Sequence, residues 1–178
     1  MIRVDIESIM MANGPMPSLV VLRERDTAAH GESQPRALSI QTGAFEAAAI
    51  GQGIDDDTPA RPITHDLLLS TVRSLGAHVE RVEISRMDAP VFYATVVLDG
   101  NRAESDETPA PSHGEIKIDA RPSDALALAV RSNAPIYVED DVMNRAGTAQ
   151  PADTACADDT ADLDQLDELI KHLTPDDF

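Results

Sequence analysis

Between Asp119 and Asp124, in the run IDARPSDALALAVRS (118–132), two carboxylates, a guanidinium, a proline and a serine crowd together before an almost entirely apolar stretch. Other polar groups gather at element ends elsewhere: Glu46 in GAFEAAAI, and His65 and Asp66 in RPITHDLL, with Arg61 just upstream. Clustered Asp and Glu bind Mg²⁺ or Mn²⁺ through oxygen. An arginine beside them can hold a phosphate through two hydrogen bonds, and helix N-termini attract phosphate. Together these types suit metal-assisted phosphodiester hydrolysis, in which the ions activate water and stabilise the leaving oxygen.

Taken singly, each residue also has a purely structural reading. A carboxylate in the first helical turn stabilises the helix dipole by about 0.3–1 kcal/mol. Pro122 suits the first helical position and Asp124 the first turn. Glu46 among alanines reads as a solvated helix residue, and His65 alone is weak evidence for catalysis. The functional reading gains from repetition: two helix starts carry an acid, each with Arg-Pro a few residues ahead (Arg61-Pro62 and Arg121-Pro122). The chain matches no P-loop, dinucleotide fingerprint, HExxH or nucleophile elbow.

The elements that must position these groups follow from periodicity. IRVDIESI (2–9), LVVLRER and RALSIQTG read as strands of an antiparallel meander. The alanine-rich segment 44–54 reads as a helix, with Phe45, Ala48, Ala49 and Gln52 at helical spacing. ITHDLLLSTVRSLGA reads as a second helix, with Thr64 as N-cap, Gly76 just past the end, and an apolar stripe of Leu67, Leu68, Thr71, Val72 and Leu75. HVERVEIS, with one offset in its alternation, and VFYATVVL form a hairpin across MDAP. GEIKID is a short strand, residues 122–131 a helix, PIYVE a strand and DDVMNRAG a short helix or turn. The fold class expected is α+β: a mixed, largely antiparallel sheet with helices against it.

Composition narrows the function. Of 178 residues only 3% are aromatic and none is Trp, so Ala, Val, Leu and Ile must build the core. The net charge is −18. Residues 1–145 carry 13 Lys+Arg against 23 Asp+Glu, and residues 146–178 carry 1 against 9. A nucleic-acid binder ordinarily shows a basic footprint; here any such binding needs a local arginine cluster or a bridging divalent metal. No apolar run reaches the roughly 18 residues of a membrane helix, and MIRVDIESIMM, with charges among its apolar residues, lacks a signal peptide's order of basic and apolar regions. A cytoplasmic protein without membrane partners is expected. Cys156 stands alone and reads as an inert thiol. The domain is expected over residues 1–146, an acidic linker over 147–161, and an amphipathic helix with its tail over 162–178, with Leu163, Leu166, Leu169, Ile170 and Leu173 on one face.

GAFEAAAI, RPITHDLLLSTVRSLGAHVERVEIS, VFYATVVL and IDARPSDALALAVRSNAPIYVEDDV, in this order and spacing, resemble the bifunctional nuclease family of bacteria and plants. The terminal LDELIKHLTPDDF is similar to the tail of actinobacterial members. The likeness covers nearly the whole chain except the linker and two polar loops. It implies a compact α+β domain that self-associates as a dimer or higher homo-oligomer, and activity on DNA, RNA or both. The family's shared polar positions fall on Glu46, Thr64, His65, Asp66, Asp119, Arg121, Ser123 and Asp124. On this reading Glu46, Asp66, Asp119 and Asp124 hold Mg²⁺ or Mn²⁺, with Asp66, Asp119 and Asp124 also counted in the catalytic set. His65 acts as general acid or base, Arg121 binds the scissile phosphate and Ser123 orients it. The chain departs from simpler members at the polar insert around 26–35, the loop 100–113 and the acidic linker. The competing expectation is a non-catalytic oligomeric or regulatory domain. There the acids cap helices, Arg121 pairs with Asp66 or Asp119 in the interior, and the C-terminal helix docks on its own domain or a partner.

Overall fold

A computed structural model describes residues 1–12, 16–25, 35–55, 61–100 and 115–149. The expected linker core, the C-terminal helix and Cys156 lie outside the described residues. So do most of the insert around 26–35 and of the loop 100–113.

Within the described residues eight strands make one sheet: β1 (Ile2–Met10), β2 (Ser18–Glu24), β3 (Arg36–Thr42), β4 (Ala77–Asp88), β5 (Val91–Gly100), β6 (Glu115–Ala120), β7 (Ile136–Val138) and the two-residue β8 (Thr148–Ala149). Their spatial order is β6-β5-β4-β7-β1-β2-β3-β8. Every neighbouring pair is antiparallel except β4 and β7, which run parallel. The fold is α+β with a mixed, largely antiparallel sheet, as expected. Two antiparallel meanders, β1–β3 and β4–β6, are joined by the short β7 inserted between them. That insertion and the edge pairing of β8 are not visible in periodicity, because both elements are too short to carry a pattern.

The offset in HVERVEIS has a local cause. The β4–β5 register shifts between Val79 and Arg81, and again between Ile84 and Arg86. Each extra residue flips the side-chain alternation, which is how Val79, Val82 and Ile84 all reach the core.

Among the described residues four helices accompany the sheet: α1 (Ala44–Ile54), α2 (Thr64–Ser74), α3 (Pro122–Ser132) and α4 (Asp140–Ala146). In α3 every residue from Ala125 to Ala129 is buried. A helix apolar on all sides belongs in the interior. The alanines let neighbours approach closely, while Leu126 joins Leu22, Leu38, Ile50 and Ile84 among the largest fully buried side chains. Burying each such side chain contributes about 1.5–3 kcal/mol. Helices α1 and α2 both pack on α3. At Gly53 in α1 an added methyl carbon would lie 2.6 Å from Val130 Cγ2 and 2.8 Å from Arg131 Nη1, so the missing side chain sets how closely α1 meets α3.

Two helix faces differ from the spacing-based expectation. In α2 the core side is Leu69 with Val72 packed beside it, while Leu67, Leu68, Thr71 and Leu75 are exposed. In α1 the core side is Ala47 and Ile50, and Phe45 is exposed. Both helices are narrow covers over α3, so only one thin stripe of each is buried.

Candidate active site

The geometry begins where β6 runs into α3. Pro122 at the first helical position disfavours a helical conformation for the residue before it, and Arg121 is extended (φ −69°, ψ 146°). Its side chain turns back over the first turn of the helix. Arg121 Nε donates to Asp124 Oδ2 at 2.8 Å and Nη2 to Asp124 Oδ1 at 3.1 Å. Nη1 donates to Oε1 of Glu46, in the first turn of α1, at 3.2 Å. The guanidinium thus bridges the starts of α1 and α3, and its side chain remains 65% exposed. Hydrogen bonding from Arg121 holds the Asp124 carboxyl below its ordinary range, with Arg121's charge and His65 adding to the effect. In return Asp124, then Glu46, hold the guanidinium more firmly in its charged form.

The start of α2 supplies the third group. Its N-cap is Ile63, extended after Pro62, so Thr64 is the first helical residue rather than the cap expected for it. Asp66 then sits three residues in, and its Oδ2 accepts the Ile63 N–H at 2.9 Å. Its other oxygen accepts from Arg131 Nε at 2.8 Å. These two contacts, the backbone N–H first, hold the Asp66 carboxyl below its ordinary range. His65 on the same turn places Nε2 3.5 Å from Asp124 Oδ1, while its Nδ1 is buried with no hydrogen-bond partner. Asp124 therefore links His65 to Arg121.

A cleft of about 570 Å³ opens beside this cluster, between the end of β3, the starts of α1 and α3 and the β4–β5 hairpin. Gln41, Thr42, Glu46, Phe92, Arg121 and Ser123 are among its walls.

The matched family profile, the bifunctional nuclease domain, covers residues 20–151. The chain belongs to the bifunctional nuclease domain family. Two relatives, from two strains of Mycobacterium tuberculosis and both described as uncharacterized proteins, are each 36% identical over 152 residues, 80% of this chain and 81% of theirs. The whole cluster from Glu46 to Arg131 lies inside the nuclease-domain match.

Within that domain the structure gathers Glu46, His65, Arg121 and Asp124 into one contiguous set, with Ser123 on the wall of the cleft. Asp66 belongs to a second set with Arg131. Asp119 stands apart. It pairs with Thr95 on β5, one place from the Ala94–Ala120 pair that packs into the hydrophobic core, so its side chain points to the opposite face. The pairing of Arg121 with Asp66 or Asp119 in the interior does not occur; its partners are Asp124 and Glu46, at the surface. Arg131 is the residue that sequence reading missed. It lies in the last turn of α3, nine residues after Pro122, and nothing local marks it as the partner of Asp66.

A divalent cation does not fit this arrangement as it stands. Among the described residues no group of three or more His, Cys, Asp or Glu could hold a metal ion. Both Asp124 oxygens and Glu46 Oε1 are bonded to Arg121, both Asp66 oxygens are bonded to N–H groups, and Asp119 is on the other face. No helix among the described residues is long and apolar enough to cross a membrane.

Proposed function

We propose that the protein hydrolyses phosphodiester bonds of DNA, RNA or both at the cleft beside Arg121. One observation carries this. A guanidinium has five N–H donors, and Arg121 uses three on Glu46 and Asp124. The remaining two, one on each terminal nitrogen, are free to take two oxygens of a phosphate. The starts of α1 and α3 on either side carry no side-chain cap. Their first-turn N–H groups are therefore available to the extra negative charge that develops when water attacks phosphorus.

In this reading Arg121 clamps the phosphate and Ser123 lines its approach. Asp124 fixes the Arg121 fork and faces His65. Because Nδ1 of His65 is buried, any proton it exchanges at the site passes through Nε2. Assistance by Mg²⁺ or Mn²⁺ would require Glu46, Asp66 and Asp124 to leave the groups that hold them. The metal-free form is the one the geometry supports.

The test uses purified wild type and Arg121→Ala with labelled single-stranded DNA and RNA, each with and without EDTA. Cleavage by the wild type that persists in EDTA and is lost in the variant supports the proposal. Cleavage that stops in EDTA restores the metal-assisted form. Equal cleavage by both proteins points to a contaminant, and no cleavage by either overturns the hydrolase reading.

A second reading rests on the surface. Phe45 is 91% exposed, and Leu67, Leu68 and Leu75 stand exposed along α2. The three leucines fall within one side of α2 and its C-cap, and an exposed apolar patch marks an interaction site. They favour a non-catalytic or additional role as a homo-oligomer. Light scattering on wild type and Phe45→Ser/Leu67→Ser decides it, because a monomeric wild type removes the reading.

A further inference from the structure

Glu46 occupies the third position of α1, from which a glutamate side chain can fold back over the N-cap residue. It does so here. Its Oε1 takes the Arg121 Nη1 donor, and its Oε2 lies over Gly43. A methyl carbon placed on Gly43 would fall inside contact distance of Oε2, 3.1 Å from Cδ and 3.7 Å from Oε1. The backbone at Gly43 is ordinary extended chain (φ −71°, ψ 159°), which any residue adopts. Glycine is therefore needed at this place for space and not for conformation. The group in the way is the end of a flexible side chain, so a substitution there moves the Glu46 carboxylate and leaves the helix intact.

We propose that Gly43 is a positioning residue for the phosphate clamp: its missing side chain lets Glu46 close on Arg121, where the carboxylate competes with the incoming anion. This rests on the reading of Arg121 as the phosphate-binding group. The two carboxylates on Arg121 are unequal. Asp124 holds it through two bonds, one of them 2.8 Å, whereas Glu46 holds it through one at 3.2 Å. Glu46 is the more weakly held of the two, and it stays beside the donors that a phosphate would take. Its charge lowers the affinity of the clamp, and Gly43 sets how far.

The experiment compares the full chain with Gly43→Ala, Gly43→Ser, Glu46→Gln and Gly43→Ala/Glu46→Gln. Serine is a good N-cap, so Gly43→Ser guards against a loss of helix stability. Nitrogen-15 NMR of the Arg121 guanidinium is recorded first, then inorganic phosphate is titrated. Both Gly43 variants should move the Arg121 terminal nitrogen signals as Glu46→Gln does. Each should bind phosphate about twofold to fivefold more tightly than wild type, the range of one exposed ion pair. The double variant should bind no more tightly than Glu46→Gln, because the group that Gly43 positions is gone. Arg121 signals unchanged in the Gly43 variants overturn the positioning role. Weaker phosphate binding in those variants overturns the competition. Shifted signals with no phosphate binding by any of the proteins leave Gly43 as the positioner of Glu46 and remove instead the reading of Arg121 as a phosphate clamp.

Discussion

Arg121 and Asp124, three residues apart at the start of α3, are joined by two parallel hydrogen bonds of 2.8 and 3.1 Å, and the guanidinium still faces solvent. Lysine in place of Arg121 keeps the charge but offers a point donor where the site needs a fork. It cannot hold Asp124 through two bonds and also present two donors to a phosphate. Arg121→Lys should lower kcat/KM for oligonucleotide cleavage about tenfold or more, and Arg121→Ala further. Exposed ion pairs add little to stability, so the melting temperature should change by about 4 °C at most. A matching loss of melting temperature and activity would mean that the pair serves the fold alone.

Arg131 and Asp66 tie the last turn of α3 to the first turn of α2. The Arg131 side chain is only 8% exposed. Replacing it with methionine keeps much of the packing and leaves Asp66 with the Ile63 N–H alone. Arg131→Met should cost about 1–3 kcal/mol in urea unfolding. Cleavage should fall as well, because His65 stands on the turn that Asp66 anchors. An unchanged unfolding midpoint would show that packing on α3 fixes α2 without this pair.

The pH dependence follows from the same two acids. Asp66 and Asp124 both have folded pKa values held below their unfolded ones. Such a carboxyl binds fewer protons in the folded chain than in the unfolded one, so its contribution to stability is present above about pH 4. It is lost as the pH falls through the folded value. The wild-type melting temperature should drop between about pH 5 and 3 more steeply than that of Asp66→Asn. The two curves should converge at the acid end. Parallel curves would show that Asp66 titrates alike in both states.

Much of this fold can be read in the chain because its elements are long and end in marked ways. Gly76, with φ at 77°, closes α2 where a glycine was expected. Pro122 opens α3 and the β4–β5 hairpin turns at MDAP. What stays hidden depends on distance in space. Neither the Glu46–Arg121 bridge nor the Asp66–Arg131 pair has any sequence signal, since the partners are 75 and 65 residues apart. Asp119 looks like a partner of Asp124 along the chain. A strand's alternation turns it to the far face, and only the pairing of β5 with β6 reveals which face that is.

On the sheet face that carries Asp119, Arg81 gathers three carboxylates. Its Nε donates to Glu83 at 2.6 Å, and its Nη1 to Glu115 at 2.9 Å and Glu80 at 3.0 Å. Glu83 is buried, at 4% exposure. The bonds to Glu115 and then Glu83 keep the Arg81 guanidinium firmly charged, and the same contact lowers Glu115. Removing Arg81 strands a buried carboxylate, whereas removing both charges does not. Arg81→Met should therefore destabilise the chain by about 2–4 kcal/mol, and Arg81→Met/Glu83→Leu should recover most of that loss. Urea unfolding of the two variants measures both. Equal destabilisation of the single and double variants would show that Glu83 finds water when Arg81 is gone, and that the cluster contributes through the link from β4 to the edge strand β6.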